Sequence, residues 1–449
     1  MKWFVLDYLG VFCSLFLAAS AVAEEPLSFR ASIAPLLLDR CVPCHSARKA
    51  AGGYRADTYD ELLKAGKSGA TPIAPPASPE EVFEDQSSEL LRRLVSDDPV
   101  ERMPADADPL PPGEIDLIRR WIREGAKFDG SKSSELLAFV TPPKTFADPP
   151  ANYPATLPLT SVAFNPQGNE VYVGGYHEVT VWNMEGALIR RIKNIGQRAY
   201  RLRLSPDGTI LAVACGEPGR YGEVRLIDLA SGEVRSVLAR STDVALDLAF
   251  RPGAAEIAVA SADHLIRIVN YQTQETVRQL ASHADWVTAI AWNDDGTRLA
   301  SASRDKSAKL FDATSGELLV NYQGHGAAVR GVIFLPGGTE LMTSSTAGNV
   351  HRWKAADGAR TAEIRLGGEG YQLIRGEGFA IVPTADRRVL RIEFADNSVS
   401  KAFEGHQDWV LSAALSPDQS RLVSGGFDGE VRLWSIAEGA SLGHWLAKP

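Results

Sequence analysis

Cysteine is scarce in this chain, with four in 449 residues. That is too few for the disulfide framework on which small secreted scaffolds depend. Positive charge is in deficit as well: 47 Lys and Arg stand against 56 Asp and Glu, a formal net charge of −9. A nucleic-acid partner calls for basic patches, so the charge argues against that class. Long apolar runs are missing beyond the first two dozen residues, so the mature chain has no candidate membrane span. In residues 157–449 no stretch resembles a nucleophile–base pair or a clustered metal site. What remains is ordinary for a soluble globular protein, 45% apolar and 23% charged, and long enough for two or three domains.

Residues 1–23 read as a secretory leader, with Lys2 as a thin basic start, an apolar run from Leu9 to Ala19, and Ala21-Val22-Ala23 as an A-x-A cleavage site. Asp7 is unusual so early, which leaves an uncleaved anchor as the other reading. Cys13 lies inside the apolar run and not after it, against a lipoprotein. A periplasmic or extracellular location follows. Cys215, in the strand-like run Ile210 to Cys215, is expected to be a buried free thiol.

The remaining two cysteines fall in Cys41-Val42-Pro43-Cys44-His45. This is Cys-x-x-Cys-His, the attachment signature of a c-type haem. Each sulfur can add across one vinyl group of the porphyrin, and the adjoining imidazole then lies where it can reach the iron. Two other readings stand beside it. A redox dithiol wants a strand–helix context that residues 35–50 do not offer. A structural zinc site wants four ligands, and between Glu24 and Gly130 the only Cys or His residues are Cys41, Cys44 and His45. One covalent haem c, with His45 as proximal ligand, is the expectation.

Of the four methionines, only Met103 lies in this region. It precedes Pro104, which favours extended geometry at Met103. Met103 is the expected distal ligand, and a core methionine filling a gap is the alternative. A His45 and Met103 pair gives iron of raised potential, suited to electron transfer. Residues 24–130 carry 14 Lys and Arg against 20 Asp and Glu, a net charge of −6. That weakly favours a basic redox partner.

Around the motif the pattern is helical. Leu27 to Arg40 reads as a helix interrupted at Pro35, Asp57 to Lys64 as a short one, and Ser87 to Val95 as a third with Ser88 as cap. Thr71 to Pro79 is loop. Glu114 to Gly125 carries an apolar stripe of Ile115, Ile118, Trp121 and Ile122. Helix, haem motif, methionine loop and terminal helix follow the layout of a small monohaem cytochrome. The words Arg40 to Ser46, Gly52-Gly53-Tyr54-Arg55, Arg102-Met103-Pro104 and Ile118 to Ile122 resemble the planctomycete-type cytochrome c domain. That resemblance implies a small all-α fold, haem c with His45 and the methionine as axial ligands, and export. Ala105-Asp106-Ala107-Asp108 stands where many relatives carry a longer proline-rich loop.

Residues 131–156 are proline-rich, predicting a semi-rigid tether, with Leu136 to Val140 as a short apolar patch able to dock. From 157 to 449 an apolar segment recurs seven times with a period of about 42 residues. Turn words fall at matching offsets: Ser205-Pro206-Asp207-Gly208, Asn293-Asp294-Asp295-Gly296 and Ser416-Pro417-Asp418. The spacing predicts an all-β seven-bladed propeller of four-stranded blades, with a weak sixth unit and a seventh completed by its own last strand. Gly324-His325, Gly405-His406 and Leu310-Phe311-Asp312 resemble the WD-repeat family, whose terminal Trp-Asp pair is missing here. His406, Ser424, Asp428 and Trp434 match that family's bracing tetrad, as do His283, Ser301 and Asp305 with Phe311 for the tryptophan. A structural role is expected of these, and a protein-binding rim is expected of the ring.

The whole reads as a multidomain exported cytochrome: 1–23 leader, 24–130 haem domain, 131–156 linker, 157–449 propeller. The expected function is electron transfer, with the propeller as a docking platform and no catalytic residues. Two other readings are a haem enzyme with an open sixth site acting on peroxide or a small molecule, and an interaction scaffold with a vestigial haem.

Overall fold

The computed structural model describes residues 26–449 apart from Arg48, Pro79, Glu80, Asp106 and Ser131, so the expected leader lies outside the described residues. Two compact units meet at Thr141 and Pro142.

In the first unit every regular element among the described residues is helical. Pro35 divides the first helix as its chemistry demands. A π-helical turn, Phe29–Ile33, precedes helix α1, Ala34–Arg40, which takes Pro35 into its first turn, where no N–H is needed. Helix α2, Tyr59–Leu62, is capped by Thr58 Oγ1, which accepts from the Glu61 amide at 3.1 Å. Helix α3 is Glu89–Leu94. Ser88 sits at its N-cap but makes no cap bond; its hydroxyl instead accepts from the Ala74 amide at 2.8 Å and holds the proline-rich loop. Helix α4, Pro112–Arg123, buries Ile118, Trp121 and Ile122, the helical spacing read from sequence, and stops before Gly125 at φ +99°. It packs on the first turn: Phe29 lies 5.2 Å from Trp121, and Glu124 accepts from the Leu27 amide at 2.9 Å. Helix α5, Leu137–Val140, belongs to this unit too. Leu137 is in the same core, and its amide donates to Asp57 O at 2.8 Å.

The second unit is seven antiparallel four-stranded sheets, each built from four consecutive strands. Blade one spans residues 162–192 and blade seven residues 410–446. The final strand, Ser441–Leu446, pairs with Glu430–Ser435, so the seventh blade is completed from its own sequence. The ring closes by packing: Leu159, Val162 and Phe164 share a core with Val423, Val431 and Leu433, and Ser412 donates to Leu159 O at 2.7 Å. Blade six is the thinnest, its first strand only Ile374–Arg375. The turn words behave as read. Gly208 at φ +69° and Gly296 at φ +68° occupy the left-handed position that glycine tolerates, while Gln419 takes it at φ +55° in blade seven. Cys215 is fully buried among apolar neighbours of blade two.

Proline-rich residues 142–153 are bound along the propeller and do not hang free. Arg225 donates to Lys144 O at 2.6 Å, the Phe146 amide to Asn194 at 3.0 Å, and Arg191 to Pro150 O and Ala151 O at 2.8 and 2.9 Å. Tyr153 donates to the buried carboxylate of Glu178, which Arg191 also clasps.

Candidate functional site

The Cys-x-x-Cys-His word forms a turn leaving α1. Cys41 and Val42 amides donate to Leu37 O at 2.9 Å, and the His45 amide returns to Cys41 O at 2.9 Å. The next residues fold back beneath it. Gly52 and Gly53 have φ of +62° and +71°, and a β-carbon on Gly53 would meet Lys67 Cγ at 2.9 Å, so glycine is required there. That turn delivers Tyr54. Its carbonyl lies 3.3 Å from His45 Nδ1, its ring meets the imidazole edge-on at 5.5 Å, and its hydroxyl donates to Leu62 O at 2.8 Å. Accepting from Nδ1–H, the carbonyl fixes the tautomer and leaves Nε2 as the free lone pair, the arrangement seen in metal-bound histidines.

The sulfurs discriminate among the chemistries the motif allows. Cys41 and Cys44 form no disulfide with each other. Burial, with Cys44 beside it, pushes the Cys41 thiol up to about 12. A redox dithiol needs the opposite, an easily formed thiolate. The donor atoms of Cys41, Cys44 and His45 do not all lie within 4.8 Å of one another. Such a spread does not suit tetrahedral zinc, which needs converging ligands.

Met103 lies against the same hydrophobic core as Cys41. Its amide donates to Arg93 O at 3.0 Å, which ties the loop to the end of α3, and the Met103–Pro104 peptide is cis. Neighbouring Arg102 has a buried Nε with no acceptor. In the sequence Arg102 stands in the Arg102-Met103-Pro104 word, but nothing there marks it as a ligand-binding group. A porphyrin carries two carboxylates, and either would supply what Nε lacks.

In the propeller, the expected bracing groups are joined in part. His283 bonds Ser301 at 2.7 Å and Asp305 at 2.8 Å. His406 bonds Ser424 at 2.7 Å, and Trp434 donates to the same hydroxyl at 2.8 Å. Asp428 does not reach His406; it accepts from the Glu430 amide. His406, Asp428 and Glu430 form the one cluster of metal-ligand type among the described residues. Arg432 grips Glu430 with two bonds of 2.7 and 2.9 Å, so the position a cation would take already has its positive charge. Glu430 escaped notice in the sequence because nothing in its word marks it. Blade five has Ala347 where the other two have aspartate; there His325 stacks on His351 with ring centres 3.9 Å apart.

These histidines set an acid limit. Burial holds His325 and His406 down at about 3, with His351 adding to the first and Arg432 to the second. Unfolded, each titrates near its ordinary value, so protons bind the unfolded chain first as pH falls. Their contribution is intact above about pH 6.5 and is lost toward pH 3, roughly 4 kcal/mol for the pair by pH 5. Melts of the full chain should show the propeller transition falling steeply between pH 6.5 and 5. A transition temperature flat over that range contradicts the burial of neutral imidazoles.

Residues 41–106 match the family model described as Planctomycete cytochrome C, a span that holds Cys41, Cys44, His45 and Met103. Residues 274–312, 316–354 and 397–435 match the WD domain, G-beta repeat model. Each repeat begins near the outer strand of one blade and ends in the third strand of the next. No curated protein matches the chain.

Proposed function

From a chain that joins a planctomycete-type cytochrome c segment to a seven-bladed WD-repeat propeller, we propose an exported monohaem electron-transfer protein whose propeller docks a partner. The observation that carries this is the single turn holding Cys41, Cys44 and a His45 whose Nδ1 faces the Tyr54 carbonyl. In this reading, Cys41 and Cys44 hold haem c by thioethers, and His45 Nε2 and Met103 Sδ are its axial ligands. Bound haem supplies reversible one-electron chemistry at iron. The helical first unit is then a small all-α cytochrome fold. Helices α1 and α4 and the first turn hold the motif, Tyr54 orients His45, and Arg102 waits for a carboxylate.

Export is supported by the leader-like residues 1–23 and by the family match. No helix among the described residues is long and apolar enough to cross a membrane. The propeller supports protein binding by its family, and on blade seven it exposes an aromatic pair, Trp409 and Phe427, with ring centres 5.8 Å apart.

Met103→Ala decides between electron transfer and an open-site haem enzyme. Thioether ligation predicts that the oxidised protein carries the weak far-red sulfur-to-iron band. The substitution should abolish that band and lower the reduction potential by on the order of 0.1 V. An unchanged spectrum and potential would remove Met103 from the iron and leave the sixth position to substrate or water.

A further inference from the structure

The first strands of successive blades lie against one another around the centre of the propeller. Of the charged residues on these seven strands, Arg198, Arg201, Arg203, Arg330 and Arg375 are basic, and Asp247 alone is acidic. That is a marked reversal in a chain whose net charge is −9. Arg201, Arg203, Asp247 and Arg375 line a cavity of about 250 Å³, together with the apolar strand backbones of blades four and five and Gln372 to Ile374.

Pairing within the cavity is uneven. Asp247 is fully committed: it accepts from Arg201 at 2.6 Å, from the Leu248 amide at 2.9 Å and from the Ile290 amide at 3.0 Å. Arg375 bonds the exposed Asp294 at 2.6 and 3.1 Å. Arg203, two residues from Arg201 on the same strand face, makes no hydrogen bond or ion pair among the described residues. Burial, then repulsion from Arg201, pushes its guanidinium down to about 10, against a smaller pull upward from Asp247. Arg203 is partly buried, and none of its guanidinium nitrogens is both sealed from water and without a partner. An oxyanion in the cavity would give it a charged, bidentate acceptor in place of water. The volume is several times the ~30 Å³ share of one water, so a phosphate or a short dicarboxylate fits with a few waters.

We propose that the central cavity of the propeller binds a small oxyanion, clasped by Arg203 with Arg375 at its mouth. This rests on residues 142–449 alone and stands whether or not haem is bound elsewhere. The test is calorimetry and thermal melting of the full chain at low ionic strength, with inorganic phosphate in one arm and succinate in the other. Saturable binding of at least one anion is expected, with a rise in the propeller transition. The better ligand tells phosphate recognition from carboxylate recognition. Arg203→Gln should weaken that binding about tenfold or more. Arg375→Gln, at the exposed mouth, should weaken binding by a smaller factor and keeps the test alive if the first variant fails to fold. Absence of saturable binding to either anion up to about 20 mM overturns the proposal, as does binding that neither substitution weakens.

Discussion

Replacing Cys41 and Cys44 together by alanine is expected to yield a protein that loses its haem on denaturation. The wild type should keep it. The reason is covalent: with both thioethers gone, haem is held only by His45, Met103 and the packing of the first unit. The substitution is mild for the fold. Cys44 is exposed, and the backbone bonds that shape the turn, Cys41 N to Leu37 O and His45 N to Cys41 O, use no sulfur. Far-ultraviolet circular dichroism should therefore change little, while haem stain on a denaturing gel falls to background. The single variants should keep haem through one thioether and stain weakly. A double variant that stains as strongly as wild type would place the attachment elsewhere.

The second large effect lies far from the haem motif. Asp247 sits on the first strand of blade three, pairs with Arg201 of blade two and accepts from the Ile290 amide of blade four. Three neighbouring blades are thus tied by one buried carboxylate. Asp247→Ala strands Arg201, whose side chain is 4% exposed, and leaves two amides without an acceptor. The expected cost is about 3–5 kcal/mol, the range for breaking a buried pair by removing one partner. Denaturant unfolding of the full chain followed by the propeller signal reads this directly. Arg201→Met combined with Asp247→Leu should recover much of the loss, since an apolar replacement of both partners avoids the unpaired charge. A loss below about 1 kcal/mol for the single variant would show the pair to be solvated.

These two results draw on different depths of the sequence. The haem motif is legible because its chemistry is local: two sulfurs and an imidazole within five residues. So are Pro35, which an α-helix accepts only in its first turn, and the stripe of α4, which the 3.6-residue period reveals. The blade period is legible because each unit repeats the same alternation and turn. Legibility fails where a contact joins distant residues. Arg201 and Asp247 are 46 positions apart on different blades, and neither is marked by its neighbours. Ser88 reads as a cap from local rules, but tertiary competition gives its hydroxyl to Ala74. Prolines 142–150 suggest a semi-rigid spacer, and only the structure supplies the arginines that bind their backbone.

In the exported chain Cys41 and Cys44 are expected to be covalently occupied. Thiol alkylation of the purified, exported and fully denatured protein, read by peptide mass analysis, tests it most directly. Labelling is expected at Cys215, which unfolding exposes, and none at Cys41 or Cys44, whose peptide retains a haem. Labelling at Cys41 and Cys44 in protein made with haem and a maturation system supplied would contradict it.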